Sequence, residues 1–193
     1  MEPAALVDFV PALALAIALA ACAGLRAWLP LLLAGGMARL GYLQLGESFA
    51  FLGSDKALLL FAVATLVEIV GDKFPAVDHA LDVLGSVLRP AAGILLAASV
   101  LGQFTDPLTA LALGVAVGTP SALLPHAAKS AARAVSTGLT GGLANPVISL
   151  LEDVGVVAFF ALAVLLPLLA AGLVLAGAFL VARRLRPRVP RHA

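Results

Sequence analysis

From residue 146 to residue 185 the chain runs for about forty residues whose only charges before a terminal arginine cluster are Glu152 and Asp153. As helix, that stretch would be about 60 Å long, roughly two crossings of a hydrocarbon layer about 30 Å thick. A water-soluble fold of 193 residues cannot hide such a block, and other long apolar blocks precede it. Composition agrees: 62% of the residues are hydrophobic and 12% charged, against about half and about a quarter in soluble domains. An all-α, polytopic transmembrane bundle is the fold class this predicts.

Six spans are expected. The first apolar segment covers residues 5–38, is broken at Gly24-Leu25-Arg26, and carries Pro30 and Gly35-Gly36 in its second part. One straight helix of that length would overshoot the bilayer, so a break or a strong tilt is required. A loop at 39–56 follows, then spans at 57–71 and 78–104, and a fourth at 108–124 interrupted at Gly118-Thr119-Pro120. A small basic stretch (125–135) and a flexible Ser/Thr/Gly link (136–145) lead to the forty-residue block, divided near Pro167. The organisation is one membrane domain, 1–182, with halves 5–104 and 107–182, and a basic tail, 183–193. Glu2 and Asp8 stand where a signal peptide has bases, so the first segment reads as a retained span.

The net charge of +1 conceals an asymmetry, since five of the twelve bases, Arg183, Arg184, Arg186, Arg188 and Arg191, lie in the last eleven residues. Beside an apolar helix such a cluster marks the cytoplasmic side and pairs with anionic lipid head groups. It has no aromatic residues to stack bases, which argues against nucleic acid as a partner. With six spans and a cytoplasmic N-terminus, the cytoplasmic segments hold Lys73, Lys129, Arg133 and the tail, and the external loops hold Arg39 and Lys56. Both ends are then expected in the cytoplasm of a multi-pass inner-membrane protein. An odd number of spans would put the N-terminus outside. Cys22 is the single cysteine, so neither a disulfide framework nor a thiolate metal site is available.

Two features hint at an internal repeat. The interruptions Gly24-Leu25-Arg26 and Gly118-Thr119-Pro120 occupy comparable places in the two halves, and Met37 to Arg39 can be set against Ala131 to Arg133 at the same offset. Two three-helix repeats would be inverted in topology, with interrupted helices at a transport site. A second match, Thr65 to Gly71 against Ser149 to Gly155, falls on one side of the membrane and does not fit that inversion.

The residues able to carry chemistry are the charges inside apolar runs. Glu68 and Asp72 share a helical face, while Asp78, Asp82 and Arg89 fall within about 40° of one another at 100° per residue, with Lys73 in the turn between. Such carboxylates bind a cation, relay protons or pair with bases, and Glu68, Asp72, Asp82 and Glu152 form a candidate divalent-cation site. Arg89, about 16 Å into its span, is costly unless paired or wetted. In the second half, His126, Lys129 and Arg133 share one face, and Ser149, Glu152 and Asp153 another, beyond Asn145, which is suited to an N-cap. Lys129 and Arg133 are the available partners of Glu152 and Asp153, and Asp82 or Glu68 those of Arg89.

Phosphate-loop, zinc-protease and nucleophile-elbow motifs are absent, so an ATP-driven pump is not indicated. The segments GLRAWLPLL (24–32), EIVGDKFPAVDHALD (68–82), LRPAAG (88–93), HAAKSAAR (126–133) and NPVISLLED (145–153) together resemble the bacterial membrane proteins catalogued as domain of unknown function 4126. That resemblance covers nearly the whole chain and marks these same polar positions, but implies no activity. The leading expectation is a small transporter or channel for an ion or polar solute, with a cluster of carboxylates and bases facing the cytoplasm. The alternatives are a metal-dependent enzyme or binding protein acting on lipid head groups, and a non-catalytic scaffold. No cofactor is expected beyond the candidate cation, and self-association is left open.

Overall fold

The computed structural model describes residues 3–185, and their side chains except those of 3–6, 75, 76, 78, 79 and 185. The described residues form eight α-helices and no strand: α1 (Pro3–Leu25), α2 (Trp28–Arg39), α3 (Asp55–Gly71), α4 (Pro75–Leu101), α5 (Pro107–Leu113), α6 (Thr119–Thr140), α7 (Asn145–Leu165) and α8 (Pro167–Leu185). A 3-10 turn, Glu47–Gly53, precedes α3, and a π-helical segment, Gly114–Gly118, joins α5 to α6.

Local chemistry explains where the helices start and stop. Ser54 caps α3 by accepting from the Ala57 N–H, and Asp106 caps α5 by accepting from Leu108 and Thr109. The Thr109 side chain and those backbone donors hold the Asp106 carboxyl below its ordinary range. Prolines open α4, α5, α7 and α8, where a missing N–H costs nothing. Gly141, at φ 62°, ends α6.

Among the described residues five helical rods are long and apolar enough to cross a membrane: Val7–Leu25, Ala80–Leu101, Pro107–Thr140, Asn145–Leu165 and Pro167–Arg184. A sixth arises if the 3-10 turn and α3, bent by 56°, count as one span. Leucines and valines cover their outer faces, among them Leu59, Leu60, Val63, Leu66 and Val67 of α3. The interior is built of small residues. Ala16, Ala18, Ala20 and Ala23 of α1 meet Ala97 and Ala98 of α4 in the core, as expected where lipid gives helices no hydrophobic reason to associate and close backbone approach must do so instead. Close approach is plain at two glycines that face α6: a Cβ on Gly24 would overlap the Ala122 carbonyl, and one on Gly93 would sit 2.8 Å from the Ala122 methyl.

Three sequence expectations need correction. The Gly118-Thr119-Pro120 interruption does not break the fourth span, which continues as one 34-residue rod from Pro107 to Thr140. Pro120 cannot donate to residue 116 and its ring crowds that carbonyl, and the wider π turn at Gly114–Gly118 absorbs the conflict. The expected flexible link is correspondingly short, because residues 136–140 are still helix.

The third correction concerns direction. At one end of the bundle, here the loop end, the Phe9 ring meets the Phe104 ring edge-on at 5.7 Å, Gly46 N–H donates to the Ser99 carbonyl, and Gln103 donates to the Gln44 carbonyl. Arg39 at the end of α2 pairs with Asp55 at the start of α3, while Ala27 lies against Glu68 near the end of α3. The first apolar segment is therefore a helical hairpin: α1 runs away from the loop end, reverses at Arg26-Ala27, and α2 returns. Its tip lies about 20–25 Å from that end by helical rise. Through α3, α4, the long rod, α7 and α8 the chain then alternates, so that Val181 of α8 lines a groove with Leu25 and Ala128. The first described turn of α1 and the last of α8 thus lie at opposite ends, contrary to the expectation of a shared side. The interruption at Arg26 reverses the chain and that at Pro120 does not, so the two do not correspond as the repeat required.

Candidate functional site

The hairpin tip places Arg26 among the ends of α3 and α7 and the middle of α6. Its guanidinium is fully buried and pairs with Asp72, lies 2.7 Å from Asp153, and donates to Ser149 Oγ at 2.9 Å. Asp72, at the end of α3, also meets Arg133 at 3.0 Å and Lys129 at 3.9 Å. Glu152 closes the circuit on α7, 2.9 Å from Lys129 and 3.2 Å from Arg133. Ser149 accepts from Arg26 and from Lys73, at 3.2 Å, and lies 3.5 Å from Asp72. Lys129 donates a further bond to the Leu25 carbonyl, at the orphaned end of α1.

Glu68 plays a different part. Its carboxylate accepts from the backbone N–H groups of Ala27 and Trp28 at 3.2 and 3.4 Å, supplying from α3 the cap that α2 lacks in its own sequence.

A second group sits beside the first, on α4 and α6. Arg89 is 1% exposed, as a base in mid-span should be when paired. Its guanidinium donates to Asp82 at 3.3 Å and to His126 Nδ1 at 2.5 Å. Arginine has only donors, so His126 accepts through Nδ1 and its imidazole is neutral with the proton on Nε2. The guanidinium lies over Gly85, where a Cβ would come within 2.9 Å of it. Asp82 joins the two groups, lying 3.8 Å from Arg133.

Next to this network lies a cavity of about 520 Å³ lined by Asp72, Lys73, Asp82, Ser130, Arg133 and Asn145, together with neighbouring small and apolar residues. Toward the loop end α1, α4 and the long rod approach closely along a seam of Gly24, Gly93, Gly118 and Ala122. Asn145 is not an N-cap; it is the first residue of α7, its amide donates to Thr137 Oγ1 at 3.1 Å, and its buried Oδ1 has no partner among the described residues.

The structure thus gathers Glu68, Asp72, Lys73, Asp82, Arg89, His126, Lys129, Arg133, Ser149, Glu152 and Asp153 into one region, with Asn145 at the cavity wall. The Asp78 side chain lies outside the described residues, as do Arg186, Arg188, Arg191 and the side chain of His79. The expected cation site of Glu68, Asp72, Asp82 and Glu152 is not assembled: among the described residues no three His, Cys, Asp or Glu side chains are placed to hold a metal. The reason is visible in the pairing. Asp72, Asp82 and Glu152 are separated by bases, and Glu68 is turned toward backbone donors. Arg26 is the central residue that the sequence expectation omitted, although a lone arginine after seventeen uncharged residues is itself a signal.

No curated protein and no solved structure matches this chain. A family model does, over residues 13–187, which takes in the hairpin, the ionic network and the cavity. The chain belongs to the family described as Domain of unknown function (DUF4126).

Proposed function

We propose that the protein is a carrier for a small charged or polar solute in the bacterial cytoplasmic membrane, and that its solute enters the cavity beside Arg133 from the cytoplasm. The observation that carries this reading is the juxtaposition of a buried ionic network with a 520 Å³ cavity whose wall includes Asp72, Asp82 and Arg133. A scaffold needs the ion pairs but not the space beside them. A channel would need a polar path past the Gly24–Ala122 seam, where backbone meets backbone. A seam of small residues is suited to helices that shift past one another, as a carrier's must.

Orientation follows from the bases. Lys73, Arg183 and Arg184 belong to the charged end and Arg39 and Lys56 to the loop end, so the charged end is assigned to the cytoplasm and the start of α1 to the outside.

A second reading, binding of a lipid head group, has one observation in its favour. An apolar groove of about 330 Å³ between α1, α6, α7 and α8 reaches Leu25 and Ala128, next to Lys129. An acyl chain there would bring its head group toward the network.

The test is flux. The full chain in liposomes, offered sodium, potassium, chloride, sulfate and amino acids in turn, is expected to accumulate at least one solute, and Arg133→Gln is expected to lose that uptake at unchanged protein content. Absence of uptake for every class offered would remove the carrier reading and leave the lipid one.

A further inference from the structure

Resting on the carrier reading, we propose that the solute is a small anion from the aqueous phase and that it travels with a proton taken up by Glu152.

The sign of the solute follows from which charges on the cavity wall are already answered. Asp72 is held by Arg26, Lys129 and Arg133, and Asp82 by Arg89 and Arg133. A cation entering the cavity would have to break those pairs to find a carboxylate. Lys73, on the same wall, is exposed, and its described partner is the neutral Ser149 hydroxyl. Among the described residues no carboxylate lies within ion-pair distance of it. The amino end of α7 also lies on the cavity wall at Asn145 and Pro146, but its N–H groups are already engaged, that of Asn145 by the Gly142 carbonyl and those of Val147 and Ile148 by the Ala144 carbonyl. Lys73 is the charge on this wall that no described carboxylate answers, and with Arg133 beside it the space favours an anion.

The proton follows from what the anion displaces. Among the described residues Arg133 meets Asp72, Glu152 and Asp82 at 3.0, 3.2 and 3.8 Å. An anion bound to Arg133 from the cavity competes with all three. Asp72 keeps Arg26, Lys129 and Ser149, and Asp82 keeps Arg89 and stands 26% exposed. Glu152 keeps Lys129 alone, which it shares with Asp72, and its side chain is 10% exposed. The other charges near it are Asp153 on its own helix, Arg26 from α1, which faces Asp72 and Asp153, and Lys73 from the turn after α3. Of the three carboxylates that Arg133 holds, Glu152 is therefore the one left with least compensation in a low-dielectric site, and it regains neutrality by binding a proton from the cytoplasm. The balance is simple: one anion and one proton enter together, Glu152 ends as the carboxylic acid, and release of the anion returns Arg133 to Glu152 and frees the proton.

The experiment uses the full chain in phosphatidylcholine liposomes holding a lumenal pH dye, with potassium and valinomycin clamping the membrane potential, and an inward gradient of sulfate or chloride. Anion influx accompanied by lumenal acidification is expected in the wild type. Glu152→Gln is expected to admit anion with acidification reduced at least tenfold. Wild-type anion influx without acidification would overturn the proton coupling, and influx of cations alone would overturn the anion assignment while sparing the carrier reading. If no solute moves, the carrier reading itself fails. Repeating the wild-type measurement with phosphatidylglycerol in the liposomes separates the two sources of anionic charge. Unchanged influx supports a free anion, and its suppression would give the site to a lipid head group.

Discussion

Glu68 on α3 accepts hydrogen bonds from the backbone N–H groups of Ala27 and Trp28, so a carboxylate buried in the bundle serves as the missing cap of a helix forty residues earlier in the chain. This contact fixes the hairpin tip to α3, and with it the position of Arg26. Glu68→Ala should leave two buried N–H donors unpaired and cost about 1–3 kcal/mol, whereas Glu68→Gln, which keeps an acceptor oxygen, should cost less. Thermal unfolding in detergent compares them, and equal losses would show that charge rather than capping is what matters.

Arg26 tests the ionic network. Arg26→Gln removes the partner of two carboxylates at once and should destabilise the protein by about 3–5 kcal/mol, the usual cost of breaking a buried pair from one side. The double variant Arg26→Gln with Asp72→Asn should recover part of that loss. A double variant no more stable than the single one would mean that the pair is not coupled in the folded protein.

The small-residue seam makes a packing prediction. Gly24→Ala puts a methyl group where the Ala122 carbonyl stands, a backbone atom that cannot turn aside, and should cost about 3 kcal/mol. Gly155→Ala, at an open position on α7, is the control and should change stability little. The two melting temperatures are to be compared directly.

Gly85 offers a way to disturb Arg89 without removing it. A Cβ there meets the flexible end of the arginine, so Gly85→Ala should leave the fold intact while pushing the guanidinium off Asp82 and His126. His126 Nδ1, no longer an acceptor for Arg89, should then show a changed ring-nitrogen shift in the NMR spectrum of labelled protein. An unchanged His126 signal would mean that the Arg89 contact does not govern it.

The spans, the division at Pro167 and the pairing of Lys129 and Arg133 with Glu152 were legible in the sequence because charge in apolar context and block length are one-dimensional signals. Arg89 was legible for the same reason. The reversal at Arg26 was not, since a broken span and a hairpin have the same pattern of Gly, Leu and Arg, and what distinguishes them is Glu68 waiting on another helix to cap α2. Nor was the continuity of the fourth span through Pro120, because a π turn leaves no mark in composition beyond the glycines that a break would also use. Sequence spacing could gather Glu68, Asp72 and Asp82 as like charges but could not show that bases from α1 and α6 stand between them.

A carrier of this kind requires the cavity beside Arg133 to be open from the charged end and closed from the loop end. Ser130 lines that cavity, and Cys22 is buried, so Ser130→Cys in a Cys22→Ala background gives one reporter. In sealed membrane vesicles of defined orientation, a membrane-impermeant thiol reagent should modify this cysteine from the side that carries Arg183 and Arg184 and not from the other, with the rate reduced by sulfate. Modification from the opposite side alone, or no modification from either, would contradict it.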